Sequence, residues 1–352
     1  IMPKLLIASD LHLSVSEREY SFNVLKEIIE ISKDYDALVL LGDTFDTFKD
    51  LKELKEEFIN IIEENKIYLL KGNHENLKSK GISLSQLNFP NNITVLEEIS
   101  AFSIDDLDII ALPYNDKYSV NNEFLELVDS LKNEKRILLA HGIVEGTLWA
   151  IEENEASASI PIDIIKKSNV DLAIVGHIHK QMDTRIENIE IVYPGSSRVW
   201  RRSKAEIGIR RCLGLEIKNN KIKKEYINIE SAGEYRVYEC NSYDIETKIE
   251  SLSVNWKKND IININIYGII EDENELEKTK KSIINKYSKN VRDINLKNSQ
   301  LYFLENAYNE RIIKEFLDVV NSYEFDINNK DNLEILELAK RLGIEKIYNA
   351  LQ

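Results

Sequence analysis

The stretch YLLKGNHE (Tyr68–Glu75) passes from three apolar residues through a lysine and a glycine into Asn, His and Glu. An apolar run that is continuous rather than alternating is expected of a strand buried on both faces. The glycine after it permits a tight turn and a close backbone approach. The same transition recurs along the first half of the chain. KLLIAS (4–9) leads to Asp10 and His12, ALVLLG (37–42) to Asp43 and Asp46, and LAIVGH (172–177) to His177 and His179, while ILLAHG (137–142) contains His141. All five histidines, His12, His74, His141, His177 and His179, lie in or just after one of these five runs. Between some of them the apolar residues take a helical spacing, with Phe22, Leu25, Ile28, Ile29 and Ile31 near one stripe of 20–35, and Leu51, Leu54, Phe58, Ile61 and Ile62 near one stripe of 51–65. Strands alternating with helices predict a layered α/β fold. Strand C-termini gathered at one sheet edge, where such folds bind ligands, would bring these distant histidines and acids together. Isolated core histidines give no reason for such a distribution.

The chain has 352 residues, which predicts more than one domain. Further strands are expected at 107–113, 189–195 and 212–217. Past about residue 232 the composition turns to Lys, Glu, Asn and Ile. YRVYEC (235–240) and IININIYGI (261–269) alternate like strands, and 273–288 reads as a helix. The expected division is 1–232 for the first domain, 234–300 for a small α+β domain and 305–352 for a tail of two helices separated by EFDINNK (324–330). No apolar run approaches the 18 or so residues of a membrane span. IMPKLLIASD runs into a strand with no signal peptide, Ile1 ahead of Met2 reads as a cloning remnant, and Cys212 and Cys240 have no metal-binding or disulfide spacing, so a cytoplasmic protein with two free thiols is expected. The formal net charge of -15 argues against avid nucleic-acid binding by the chain alone, although bound cations or a basic partner change the local field.

Imidazoles, carboxylates and an amide without a thiolate suit manganese or iron, or zinc in a catalytic role. Asp10 with His12, and Asp43 with Asn73, can supply donors to two ions about 3.5–4 Å apart, an arrangement that polarises a phosphoryl oxygen and activates water for in-line attack.

In order, the blocks DLH, GDTFD, GNHE, HG and GHIH resemble the complete signature of the calcineurin-like metallophosphoesterases. The resemblance implies a layered β-sandwich flanked by helices. It also implies that Asp10, His12, Asp43 and His179 hold one divalent ion, and that Asp43, Asn73, His141 and His177 hold the other. His74 would stand beside the phosphate and protonate or stabilise the leaving oxygen, and Asp46 and Glu75 would orient the ligands.

IVGHIHKQMDTRIENIEIVYPGSSRVW (174–200) resembles the corresponding segment of SbcD-type DNA double-strand-break-repair nucleases, the bacterial and phage relatives of the MRN nuclease subunit. HGIVEG (141–146) and the α+β region after 234, similar to that family's capping domain, agree with this. The resemblance implies a manganese-dependent exonuclease or endonuclease that forms a homodimer and acts with an SbcC-like coiled-coil ATPase docked on the tail. Many family members have a histidine at the place of Asp46, so strict 3′-to-5′ exonuclease behaviour does not carry over. The segment 197–211 holds Arg198, Arg201, Arg202, Lys204, Arg210 and Arg211. Arg198, Arg201, Arg202 and Lys204 are expected to meet DNA phosphates and Trp200 a sugar or base, the alternative being a solvated loop. Ile312, Ile313, Phe316, Leu317 and Val320 form an apolar stripe for the ATPase or, alternatively, fold back on the capping domain. Two other functions fit the same ligand set: a phosphatase or nucleotide phosphodiesterase, and a metal-binding scaffold without catalysis.

Overall fold

The computed structural model describes residues 3–77, 81–115, 117–147, 159–218, 221–270, 272–303, 311–322 and 330–351. Ile1, Met2, residues 305–310 of the expected tail and all of EFDINNK but its last residue lie outside them. The chain forms two compact units, Ile1–Tyr235 and Arg236–Gln352. Apart from Glu234 and Tyr235, the segments expected as a capping domain and a tail both fall in the second.

The first unit runs β1 (Lys4–Ala8), α1 (Arg18–Ser32), β2 (Ala37–Leu41), α2 (Phe48–Ile62), β3 (Ile67–Leu70), β4 (Ile93–Leu96), β5 (Ser100–Ile104), β6 (Leu107–Leu112), α3 (Asn122–Asp129), β7 (Lys135–His141), the short β8 (Ile143–Val144) and β9 (Ser159–Ile160), α4 (Ile162–Lys167), β10 (Leu172–Gly176), β11 (Met182–Ile186), β12 (Ile189–Tyr193), β13 (Gly208–Ile209), β14 (Arg211–Lys218) and β15 (Lys221–Asn228). Two six-stranded sheets have the orders β15-β14-β1-β2-β3-β4 and β11-β12-β10-β7-β6-β5. The five motif-bearing strands are therefore shared between two sheets, three in one and two in the other.

Alternation along each strand separates two cores. Leu5, Ile7, Val39, Leu41 and Leu70 of the first sheet share a buried cluster with Ile109, Leu139 and Ile174 of the second, and this is the sandwich interior. Leu6, Ala8, Leu38, Leu40 and Leu69 face the other way, onto Leu25 and Ile28 of α1 and Leu54 and Phe58 of α2. Ile110, Leu138, Ala140 and Val175 likewise pack against Phe124 of α3 and Ile164 and Ile165 of α4. Burying each Leu or Ile contributes about 1.5–3 kcal/mol, and apolar side chains on both strand faces explain the continuous runs. Thr47 caps α2, its hydroxyl accepting from the Asp50 N–H at 3.1 Å.

The second unit continues through β16 (Glu234–Asn241, starting at the boundary), α5 (Ile245–Ser253), β17 (Ile261–Ile270), α6 (Glu273–Tyr287), β18 (Asp293–Phe303), α7 (Arg311–Asn321) and α8 (Lys330–Leu351). β17 and β18 are parallel, joined across α6. Ile249, Ile262, Ile264, Ile283 and Leu296 lie in its core. Ile313 of α7, expected on a partner-binding stripe, is instead wholly buried with Ile269 of β17 and Ile344 of α8, and Phe316 and Leu317 pack against the same cluster. Folding α7 back satisfies these residues within the unit, whereas Ile312, Val319, Leu338 and Leu342 remain exposed. No helix among the described residues is long and apolar enough to cross a membrane.

Candidate metal centre

The turns that follow the motif strands are unusually tight. Asp10, His12, Asp43 and His177 all have positive φ, at 50°, 44°, 49° and 90°. Such backbone costs on the order of 1 kcal/mol or more per residue and collects where side chains must be aimed. Two glycines make room for them. A Cβ on Gly42, whose φ is 83°, would lie 2.1 Å from His141 Nδ1, and one on Gly72 would lie 2.1 Å from Asp43 Oδ1.

The first group of side chains brings together Asp10, His12 and His179. His12 Nε2 lies 3.2 Å from His179 Nε2, and His179 Nε2 lies 3.8 Å from Asp10 Oδ1. His179 Nδ1 is 2.9 Å from Glu206 Oε1. A carboxylate only accepts, so Nδ1 carries the proton and Nε2 presents its lone pair. Asp10 is held by the Ser9 hydroxyl and by the His177 N–H, which lies 3.1 Å from each carboxylate oxygen.

The second group brings together Asp43, His141 and His177, with Asn73 among them. His141 Nε2 is 3.3 Å from Asp43 Oδ2 and 3.1 Å from Asn73 Oδ1, and His177 Nδ1 is 2.9 Å from Asn73 Oδ1. His141 Nδ1 donates to the Leu41 carbonyl at 2.9 Å, which again directs Nε2 into the site. Asp43 Oδ2 faces both groups, at 3.3 Å from His141 Nε2 and 4.0 Å from His12 Nε2. Opposed lone pairs, as at His12 Nε2 and His179 Nε2, are costly unless a cation stands between them, and in the second group a proton on His141 Nε2 takes the place that a cation would fill. The donor set therefore fits two divalent ions, one per group, sharing Asp43.

Electrostatics distinguish the two groups. Burial pushes His12 down to about 4 against the pull of Asp46 and Asp43, so its imidazole is neutral at neutral pH. Burial would also lower His141, but Asp43 beside it, with Asp10 and the Leu41 carbonyl, raises it to about 9. Asp43, which burial alone would raise, is held far below the usual carboxylate range by His141, His12 and His74.

Glu75 is buried and accepts from the N–H groups of Asp43 (3.0 Å), Phe45 (2.9 Å) and Gly72 (3.0 Å), bracing the turns that carry Asp43 and Asn73. Burial and the Asp43 charge raise it to about 7. Asp46 Oδ1 lies 3.6 Å from Nδ1 of both His12 and His74. His74 Nδ1 donates to the Asp46 carbonyl, leaving Nε2 available. His74 lines a cleft of about 250 Å³ together with His12, Asp43, His177, His179 and Trp200.

The expected DNA-binding residues divide into buried and exposed sets. Arg198 is completely buried, donating to the Leu11 carbonyl at 2.7 Å, to the His12 carbonyl and to Glu17 at 2.6 Å. It cannot reach DNA in this fold, because its guanidinium is consumed in holding the turn that carries His12. Arg210 is also buried, bound to the His179 carbonyl at 3.2 Å and Ser196 Oγ at 3.1 Å. The Trp200 indole stacks on His12 with centroids 3.8 Å apart and planes 5° apart, and the Arg201 guanidinium lies 4.0 Å from the indole centroid. One indole face is thus occupied by a candidate ligand rather than available to a base. Arg201, Arg202 and Lys204 are exposed.

Glu206 was not anticipated. Its one visible signal is the sequence SKAE (203–206), the serine-to-acid spacing of a capping box, which marks a helix start but not a contact to His179. Ser9 and Ser197 were also missed. Ser197 donates from its N–H to the Ser9 carbonyl at 2.8 Å and accepts from the Ser9 N–H at 3.0 Å.

Residues 3–181, just over half of the chain, match the family model described as calcineurin-like phosphoesterase. The chain is similar to the uncharacterized metallophosphoesterase YhaO of Bacillus subtilis (strain 168), at 25% identity over 223 residues, which is 59% of this chain and 52% of that protein. It thus spans about half the length of that curated relative. Among solved structures it resembles the purple acid phosphatase PPD1 from yellow lupin (Lupinus luteus) seeds, with a TM-score of 0.50, 14% identity and coverage of 67% of this chain and 53% of that one. It is also similar to a dimetal phosphatase from Danio rerio, with a TM-score of 0.43, 12% identity and coverage of 64% and 99%. At such identities the structural likeness concerns the fold.

Proposed function

Because the chain belongs to the calcineurin-like phosphoesterases, we propose that it is an SbcD-type nuclease subunit. In this reading it is a manganese-dependent enzyme that hydrolyses DNA phosphodiester bonds as an exonuclease, an endonuclease or both. It acts as a homodimer with an SbcC-like ATPase in DNA repair, recombination or end processing. The observation that carries the reading is the placement of His74 and the Trp200–Arg201 wall around the two donor groups.

The geometry supports the following roles. Asp10, His12, His179 and Asp43 would hold one ion, and Asp43, Asn73, His141 and His177 the other. When bound, two divalent ions supply Lewis acidity to phosphoryl oxygens and to water. Asp10 and Asp43 are the only carboxylates in these donor sets, so two divalent ions would outweigh the charge of their own ligands and attract a phosphodiester. His74, with Nδ1–H committed to the Asp46 carbonyl, would act as the imidazolium, its Nε2–H passing to the leaving oxygen and the ring ending neutral. Trp200 and Arg201 form a wall with an aromatic ring and a cation, the combination that follows a sugar–phosphate chain. The exposed apolar residues Ile312, Val319, Leu338 and Leu342 of α7 and α8 suit an amphipathic partner helix.

The test is cleavage of end-labelled duplex and hairpin DNA with manganese, with and without the ATPase, beside cyclic nucleotides and a generic phosphomonoester. DNA cleavage abolished by Asp43→Ala supports the proposal. Turnover of the small phosphoesters without cleavage of DNA would make the protein a phosphatase or nucleotide phosphodiesterase. Metal binding with no turnover would make it a scaffold.

A further inference from the structure

The two donor groups are supported differently, and the difference centres on one buried side chain. Glu206 Oε1 lies 2.9 Å from both His179 Nδ1 and the Trp200 N–H, and Oε2 accepts from the Ser203 N–H at 3.4 Å. A single carboxylate therefore ties a candidate ligand to the main chain of the segment that bears the cleft wall. The same segment reaches the first group by other routes. Trp200 stacks on His12, Arg198 grips the Leu11 and His12 carbonyls, and Ser196 donates from its N–H to the His179 carbonyl at 3.1 Å. The second group has other supports, with His141 oriented by the Leu41 carbonyl and the Asp43 and Asn73 turns braced by Glu75.

We propose that Glu206 is a positioning residue that makes residues 196–206 a clamp on the cation position of Asp10, His12 and His179. Its carboxylate fixes the His179 tautomer with Nε2 facing the ion and holds the Trp200 backbone so that the indole backs His12. Loosening the clamp weakens this position selectively, and filling the position orders the Trp200–Arg201 wall. The proposal rests on the two-ion reading of the site, and needs neither DNA nor an ATPase partner.

The test uses the full chain as wild type, Glu206→Gln, Glu206→Asp, His141→Ala and Trp200→Phe. Manganese is titrated calorimetrically, and tryptophan fluorescence is followed in parallel. Trp200 is one of three tryptophans, so Trp200→Phe identifies its share of the signal. Glu206→Gln keeps the shape but removes the charge, and circular dichroism checks its folding. The wild type is expected to bind two ions, with a fluorescence change that Trp200→Phe removes. Glu206→Gln is expected to bind one ion with unchanged affinity and the other at least about tenfold more weakly, with the fluorescence change moving to the same higher concentrations. His141→Ala is expected to lose the other ion and keep the fluorescence change. Restoring the carboxylate one methylene shorter, Glu206→Asp, should recover part of the lost affinity. Equal weakening of both ions in Glu206→Gln, or no weakening, overturns the clamp while leaving the two-ion site intact. A wild type that binds fewer than two ions overturns the two-ion reading and the clamp with it.

Discussion

The two halves of the metal centre reach similar donor sets by different means. Around Asp43, Asn73, His141 and His177, the supports are a strand carbonyl and Glu75, which receives three N–H groups from the adjoining turns. Around Asp10, His12 and His179, much of the support comes from residues 196–210, as the Glu206 carboxylate, the Trp200 ring and the Arg198 and Arg210 guanidiniums. One half is built largely from strand ends of both sheets, and the other is completed by a later segment that also forms the wall of the cleft.

The most severe way to break the contrast is to remove what the halves share. Asp43→Ala deletes the one carboxylate that faces both groups, so both ions should be lost or greatly weakened and hydrolysis should fall at least about 10³-fold. Metal analysis after gel filtration, with the cleavage assay, checks this. Two retained ions would show that the halves are independent.

Next in size is a change where the two sheets meet beneath the site. Gly42→Ala places a Cβ against His141 in left-handed backbone. It should cost about 2–5 kcal/mol of stability, read by thermal or denaturant melts, and weaken the ion at His141 more than the ion at His179.

The two halves also differ in their protons. His141 stays protonated up to about pH 9, whereas His12, pushed down to about 4, is already neutral at pH 6. An ion bonded to His141 must displace its proton, and one bonded to His12 need not. Between pH 6 and 9 the affinity at the His141 position should rise by up to about tenfold per pH unit from that proton, with proton release measurable in buffers of different ionisation enthalpy. Both ions showing the same pH dependence would contradict this.

The smallest effect is expected at the wall. Neutralising Arg201 and Arg202 together should leave both ions bound, weaken DNA a few-fold and reduce the salt slope by about 2. An unchanged slope would remove these residues from the proposed DNA contact.

The chemistry-bearing turns were legible because each follows a short apolar run, and burial on both strand faces leaves a clear trace in the sequence. The edge strands were less so. MDTRI and KIKKEYIN, which became β11 and β15, are polar and partly exposed, as edges must be to avoid pairing with other chains. The basic stretch 197–211 was legible as charge but not as structure. Arg198 and Arg210 point inward to backbone carbonyls and Arg201 outward, a distinction that depends on partners distant in sequence. Glu206 was hidden for the same reason, since its partner His179 lies 27 residues away on another turn. The tail showed its amphipathic pattern but not the burial of Ile313, because helical spacing does not say which neighbour covers the stripe.

In the proposed hydrolysis the two donor groups would hold the ions, and His74, ligand to neither, supplies the proton. The direct measurement is His74→Asn beside the wild type, with manganese content and cleavage of end-labelled DNA determined on the same preparations. Two ions are expected in both proteins, with cleavage lowered by about 10²–10⁴-fold in the variant. Loss of an ion in His74→Asn, or cleavage at the wild-type rate with both ions bound, would contradict it.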